Sequence, residues 1–135
     1  MASEALHPGL SFERTVVVTD DMTAAATGNR GVPVLSTPHL IGLMETASHL
    51  AVDGWLEPGQ GTVGTHVDVR HLAATPPGET VTARAVLTAI EGRKLFFDVE
   101  AHDEHELVGD GRHERFVIDL ERFLRRIKRK AAERA

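Results

Sequence analysis

One stretch of this chain, STPHLIGLMETASHLAVDGWL from Ser36 to Leu56, repeats its apolar residues at helical spacing, and everything else must fold around it. Leu40, Met44, Ala47 and Ala51 recur three or four residues apart, and Leu43 and Leu50 widen the same face. Thr37 reads as the residue that caps the helix, with Pro38 at the first helical position, where a missing N–H costs nothing. Gly54 begins to unwind the helix, and EPGQG stops it.

On either side the period is two. Residues 11–18, SFERTVVV, read as a first strand, and residues 20–36 as an irregular loop with one helical turn. After the helix come strands at Thr62 to His71, Glu79 to Ile90, Lys94 to Asp103 and Leu107 to Asp119. EGRK and DEHE connect the last three of them as hairpins. From Asp119 to Ala132 a closing helix carries Leu120, Phe123, Leu124 and Ile127 as its apolar stripe. Long antiparallel strands need cover on one face, and only one apolar helix is available to supply it. The expected class is therefore α+β: an antiparallel sheet wrapped around a central helix, the hotdog arrangement, with a C-terminal helix. An exposed strand edge invites a second copy, so a homodimer is expected.

Composition removes several classes of function. At 135 residues the chain fits one domain, 1–135. It has no cysteine, hence no disulfide, thiolate zinc site or cysteine nucleophile. MASEALHPGLSFE does not read as a signal peptide, and no stretch approaches the roughly 20 apolar residues of a membrane span. A cytoplasmic protein without membrane partners is the expectation. A net charge of −5 argues against nucleic-acid binding over the whole surface. The tail RFLRRIKRKAAERA is nonetheless strongly cationic. It fits first a solvated helix end, where cations favour the helix dipole; a phosphate-facing role toward a nucleotide or RNA is the lesser reading. Eight histidines raise the question of metal, but His102 and His105 fall in a hairpin turn, and no HExxH or cysteine pair exists. No metal and no cofactor are expected.

Glu45 lies at the margin of the helix's apolar face, beside Ile41 and Val52. A carboxylate there needs a partner or a shifted pKa, because desolvation disfavours its charge. It is either a structural acid in an ion pair or a reactive group. His71 ends a strand just before AATPPG, where a side chain can project into a cleft, and an imidazole suits proton transfer at neutral pH. A surface or capping histidine fits the same place. A carboxylate and an imidazole on adjacent packed elements can share proton-transfer or nucleophilic work, with the Thr37 hydroxyl added at the helix start. Eight residues of helix span about 12 Å, so Thr37 and Glu45 cannot touch within one helix. They serve one substrate only if Thr37 acts at a different point or two subunits share the site.

The runs TPHLIGLME, GTHVDVRHLAATPPG, EGRK and GRHER, in that order from Thr37 to Phe123, resemble the fluoroacetyl-CoA thioesterase-like branch of the hotdog family. The resemblance implies catalytic roles for Thr37, Glu45 and His71, and places Gly64 and Arg115 at the substrate. Gly64 then belongs to an oxyanion hole, or is an ordinary strand bulge. Arg115 orients the acid or ligand, or forms an ion pair on the strand surface. The implied activity is hydrolysis of a short-chain acyl-CoA to carboxylic acid and free CoA, with Glu45 as nucleophile or general base. A non-catalytic acyl-CoA-binding module is the alternative on the same fold. Fluoroacetyl-selective members carry an aromatic lid before the catalytic threonine. TGNRGVPVLS, Thr27 to Ser36, has no aromatic residue, so broader acyl selectivity is expected.

Overall fold

The computed structural model describes residues 5–134. Its elements in chain order are β1 (Ser11–Val17), a single 3-10 turn (Asp20–Met22), α1 (Thr37–Asp53), β2 (Gln60–His71), β3 (Thr80–Glu91), β4 (Lys94–His102), β5 (Leu107–Asp119) and α2 (Leu120–Ala132). All five strands join one antiparallel sheet in the order β1-β3-β4-β5-β2. This is the expected arrangement, with strand ends within two residues of those read from the pattern. β1 and β2 are the two free edges.

α1 lies against the inner face of this sheet. Leu40, Leu43, Met44, Ala47, Ala51 and Val52 are buried there among Val81, Ala83, Ala85 and Leu87 of β3 and Leu95, Phe97, Val99 and Ala101 of β4. The odd-numbered β3 residues point inward because a strand alternates faces. They are mostly alanine and valine, and small side chains let the helix approach. Gly109 serves the same end on β5, where a Cβ would come within 3.0 Å of Leu40 Cδ2. Val52 is fully buried whereas Leu50 is only half-buried, so the helix is rotated slightly from the face its leucines mark.

The helix start differs from expectation. Ser36, not Thr37, is the cap: its hydroxyl accepts from the His39 N–H at 3.2 Å, while Thr37 and Pro38 are already inside the first turn. Ser36 wins because the backbone is still extended there, which aims its side chain back at the free N–H groups. Thr37 is thereby released from capping, and its side chain is exposed.

α2 does not close on the core. No residue in it is buried, and Leu120, Leu124 and Ile127 stay 41%, 60% and 48% exposed. Its contact with the sheet is at its start, where Leu120 lies over Gly61. Among the described residues no helix is long and apolar enough to cross a membrane, and no group of three or more His, Asp or Glu side chains is placed to hold a metal ion.

Candidate active site

Two polar clusters flank β2, one near each end of its exposed run. The first joins α1 to the end of β2. Thr37 Oγ1 and His71 Nδ1 share a hydrogen bond of 2.7 Å. His71 Nε2 is buried without a hydrogen-bond partner, and desolvation holds the ring's pKa below the ordinary histidine value. A buried imidazole nitrogen with nothing to bond is costly unless something arrives to use it. The pair is held by its surroundings. Leu35 N–H donates to the Thr75 carbonyl at 2.8 Å, tying the segment before α1 to the AATPPG turn after His71. Thr75, fully buried, donates from its hydroxyl to Asp103 Oδ2 at 2.9 Å.

The second cluster sits eight residues further along α1. Glu45 Oε2 accepts from Arg115 Nη1 at 3.4 Å and lies 4.0 Å from His113 Nε2. Arg115 is buried on the inner face of β5, not on the strand surface, and Thr62 of β2 clamps it. Its Nε donates to Thr62 Oγ1 at 2.8 Å and its Nη2 to the Thr62 carbonyl at 3.0 Å. The alternative of a surface ion pair for Arg115 is thus overturned, since residue 115 pairs with Gly64 and shares its inward side. Burial lowers the guanidinium's pKa, and the Glu45 carboxylate opposes that shift.

Of the two roles expected of Gly64, the structure shows the bulge. The β2–β5 register shifts between Gly64 and His66, so it does border a bulge. It also leaves room that nothing else could: a Cβ at Gly64 would overlap Glu45 Oε2 and stand 3.1 Å from His113 Cε1. The glycine is required by space, and the space it leaves is filled by the carboxylate.

Glu45 and His71 do not meet within one chain. Gly64 and His71 are seven residues apart on an extended strand, about 23 Å, and among the described residues no hydrogen bond or ion pair bridges the clusters. The expectation that the acid and the imidazole act together on adjacent elements therefore fails inside a single protomer. Two contributors escaped the sequence reading altogether, Thr62 and His113. His113 stands two residues before Arg115 in GRHER, and in a strand that spacing puts both on one face; the alternation was the available signal.

Both clusters lie inside a segment with known relatives. The family model for fluoroacetyl-CoA-specific thioesterases matches residues 18–121. The chain belongs to that family. A fluoroacetyl-CoA thioesterase from Streptantibioticus cattleyicolor is 48% identical over 97 residues, which cover 72% of this chain and 70% of that protein. The crystal structure of a phenylalanine-to-alanine mutant of the fluoroacetyl-CoA-specific thioesterase superposes with a TM-score of 0.87 at 39% identity, covering 94% of this chain and 98% of the other. A Thermus thermophilus member of the thioesterase superfamily superposes at 0.83 with 31% identity, covering 93% and 96%. The protein is accordingly a hotdog-fold hydrolase of acyl-CoA thioesters.

Proposed function

We propose that two copies of this chain form the working thioesterase, with each active site assembled across paired β2 strands. The observation that carries this reading is the division of the polar groups into two half-sites at either end of an exposed edge. Residues 64–68 of β2 are exposed. Val67 lies on the inner face opposite His113 yet is 41% exposed. Antiparallel pairing of two β2 strands about Val67, which then meets its own copy, brings Gly64 close to the partner subunit's His71. Each Glu45–Arg115 cluster then adjoins a Thr37–His71 pair from the other copy, and Val67 is covered.

In such a site Glu45, held by Arg115, either attacks the thioester carbonyl carbon or takes a proton from the water that does so. The C–S bond breaks and His71 delivers a proton to the departing sulfur, its ring oriented by the Thr37 hydroxyl. Water supplies the oxygen of the acid, and CoA leaves as the thiol. With no side chain at Gly64, the carboxylate lies against β2, where the substrate carbonyl meets it. No further cofactor enters this scheme. The acyl group is short, and we take selectivity to be broader than fluoroacetyl. The segment before α1 folds back on itself through Ala24–Val34 and Ala25–Val32 hydrogen bonds and presents valines, with no aromatic side chain.

Release of free thiol across a panel of acyl-CoAs tests the reading. The parent should hydrolyse acetyl-CoA as well as fluoroacetyl-CoA. Glu45→Gln should lose a factor on the order of 100 or more in rate, with substrate affinity changed far less. Binding without hydrolysis in the parent, or near-parental hydrolysis by Glu45→Gln, would require abandoning Glu45 as the reacting group.

A further inference from the structure

The buried imidazole of His113 has no place in the chemistry just described, yet both of its nitrogens are used. Where the β2–β5 ladder shifts register, His113 Nδ1 lies 2.8 Å from the His66 carbonyl, and His113 Nε2 lies 3.2 Å from Arg115 Nη1. A carbonyl only accepts and a guanidinium only donates. The ring must therefore carry its single proton on Nδ1 and offer a lone pair at Nε2. Arg115 Nε and Nη2 are already taken by Thr62, so Nη1 is the one nitrogen left to reach the acid, and it sits between His113 Nε2 and Glu45 Oε2. The Glu45 side chain is 43% exposed and has no other hydrogen-bond partner among the described residues to fix its rotamer.

We propose that His113 is a positioning residue of the thioesterase site, its Nε2 lone pair holding Arg115 Nη1 where that nitrogen fixes the Glu45 carboxylate beside Gly64. This rests on Glu45 being the reacting carboxylate. Protonating His113 would replace an acceptor by a second donor directed at a cation. The surroundings oppose that. Phe97 of β4 faces the ring at 6.3 Å, and β2 contributes Val67 and the His66 carbonyl, the His66 side chain itself being exposed. Of the charged groups, Arg115 disfavours the protonated ring, while Glu45 of α1 and Glu114 of β5 favour it. Desolvation is the largest influence, and the pKa lies below the ordinary histidine value.

Two substitutions separate the ring's two contacts. Asparagine keeps a donor for the His66 carbonyl but cannot reach Arg115, whereas glutamine extends an acceptor to the Nε2 position. His113→Asn should lower kcat on the order of tenfold with KM within about twofold, and His113→Gln should recover most of that loss. Placed on a Glu45→Gln background, His113→Asn should cost less than about twofold more, because the group it positions is already gone. In the parent, ring ¹⁵N shifts at pH 7 should show a proton on Nδ1 and none on Nε2, a measurement that needs no variant to fold. A doubly protonated or Nε2-protonated ring overturns the proposal. So does parental activity in His113→Asn, or an equal loss in both backgrounds and in His113→Gln, which would mark a structural role. If Glu45→Gln is slow and the His113 losses are simply additive, only this inference falls. If Glu45→Gln is fast, the mechanism above falls with it.

Discussion

Gly64→Ala would place a methyl group where Glu45 Oε2 now lies. The atom displaced first is the end of a half-exposed side chain, so relief by rotation is cheap for the fold. For a carboxylate that must be aimed it is not. The expected result is a loss of hydrolysis on the order of tenfold or more with stability changed by less than about 1 kcal/mol. Steady-state rates and thermal melts on the same preparation decide it, and parental activity would mean that the carboxylate works elsewhere. Glu45 shows how far a single residue could be read in the sequence. Its place at the margin of the apolar face called for a partner, but the partner is 70 residues away on β5 and only the sheet brings it near.

Among the elements, the AATPPG turn matters most, because it follows directly on the end of β2 that holds His71 and is fastened at Thr75. The Thr75 hydroxyl is fully buried and donates to Asp103, whose carboxylate also accepts from the His105 and Glu106 N–H groups at 2.8 and 3.0 Å. Desolvation tends to raise the pKa of Asp103, but these hydrogen bonds outweigh it and hold the pKa below the ordinary aspartate value. Asp103→Ala leaves a buried hydroxyl unsatisfied and two turn N–H groups without their acceptor. It should destabilise the protein by about 1–3 kcal/mol in a denaturant melt and loosen the Thr37–His71 pair, slowing hydrolysis as well. A variant as stable as the parent would show that the turn is held by the backbone alone. Between His102 and His105, the histidines weighed for metal, Asp103 is a turn-forming and fastening residue. α2 teaches the opposite lesson: an apolar stripe at helical spacing did predict a helix, but not that the stripe would lie uncovered.

For the whole molecule, the proposed sharing of each site between two subunits makes a distinctive expectation. Glu45→Gln and His71→Ala homodimers should each be nearly inactive. When mixed and allowed to exchange subunits, half the dimers are hybrids, and each hybrid has one site with both parental residues. Recovery should approach about a quarter of parental activity. Sites confined to single chains would recover nothing on mixing. Acid sensitivity is a second property of the whole fold. His71 and His113 have folded pKa values below the unfolded value of 6.5, so the unfolded chain binds protons first as pH falls. Their contribution to stability is complete above that value and is lost as pH drops through it toward the folded values. Asp103, lowered from 3.8, adds a further loss as pH falls through its folded pKa. Melting temperature should therefore fall steadily from pH 7 to pH 5, and an increase over that range would contradict the buried neutral rings.

The sequence by itself determined the elements and the architecture, because periods of 3.6 and 2 are local properties and a single apolar helix leaves one way to cover a sheet. With the family resemblance, it also named Thr37, Glu45, His71, Gly64 and Arg115. It did not decide which of them touch. Ser36 took the cap and freed Thr37 for His71 because of one extended backbone angle; Arg115 turned inward because its register sets it opposite Gly64. Thr62 and His113 entered the site through pairings 53 and 47 residues long. Strand register, a bulge and the end of a helix's cover are set by packing between distant segments, and no local pattern carries them.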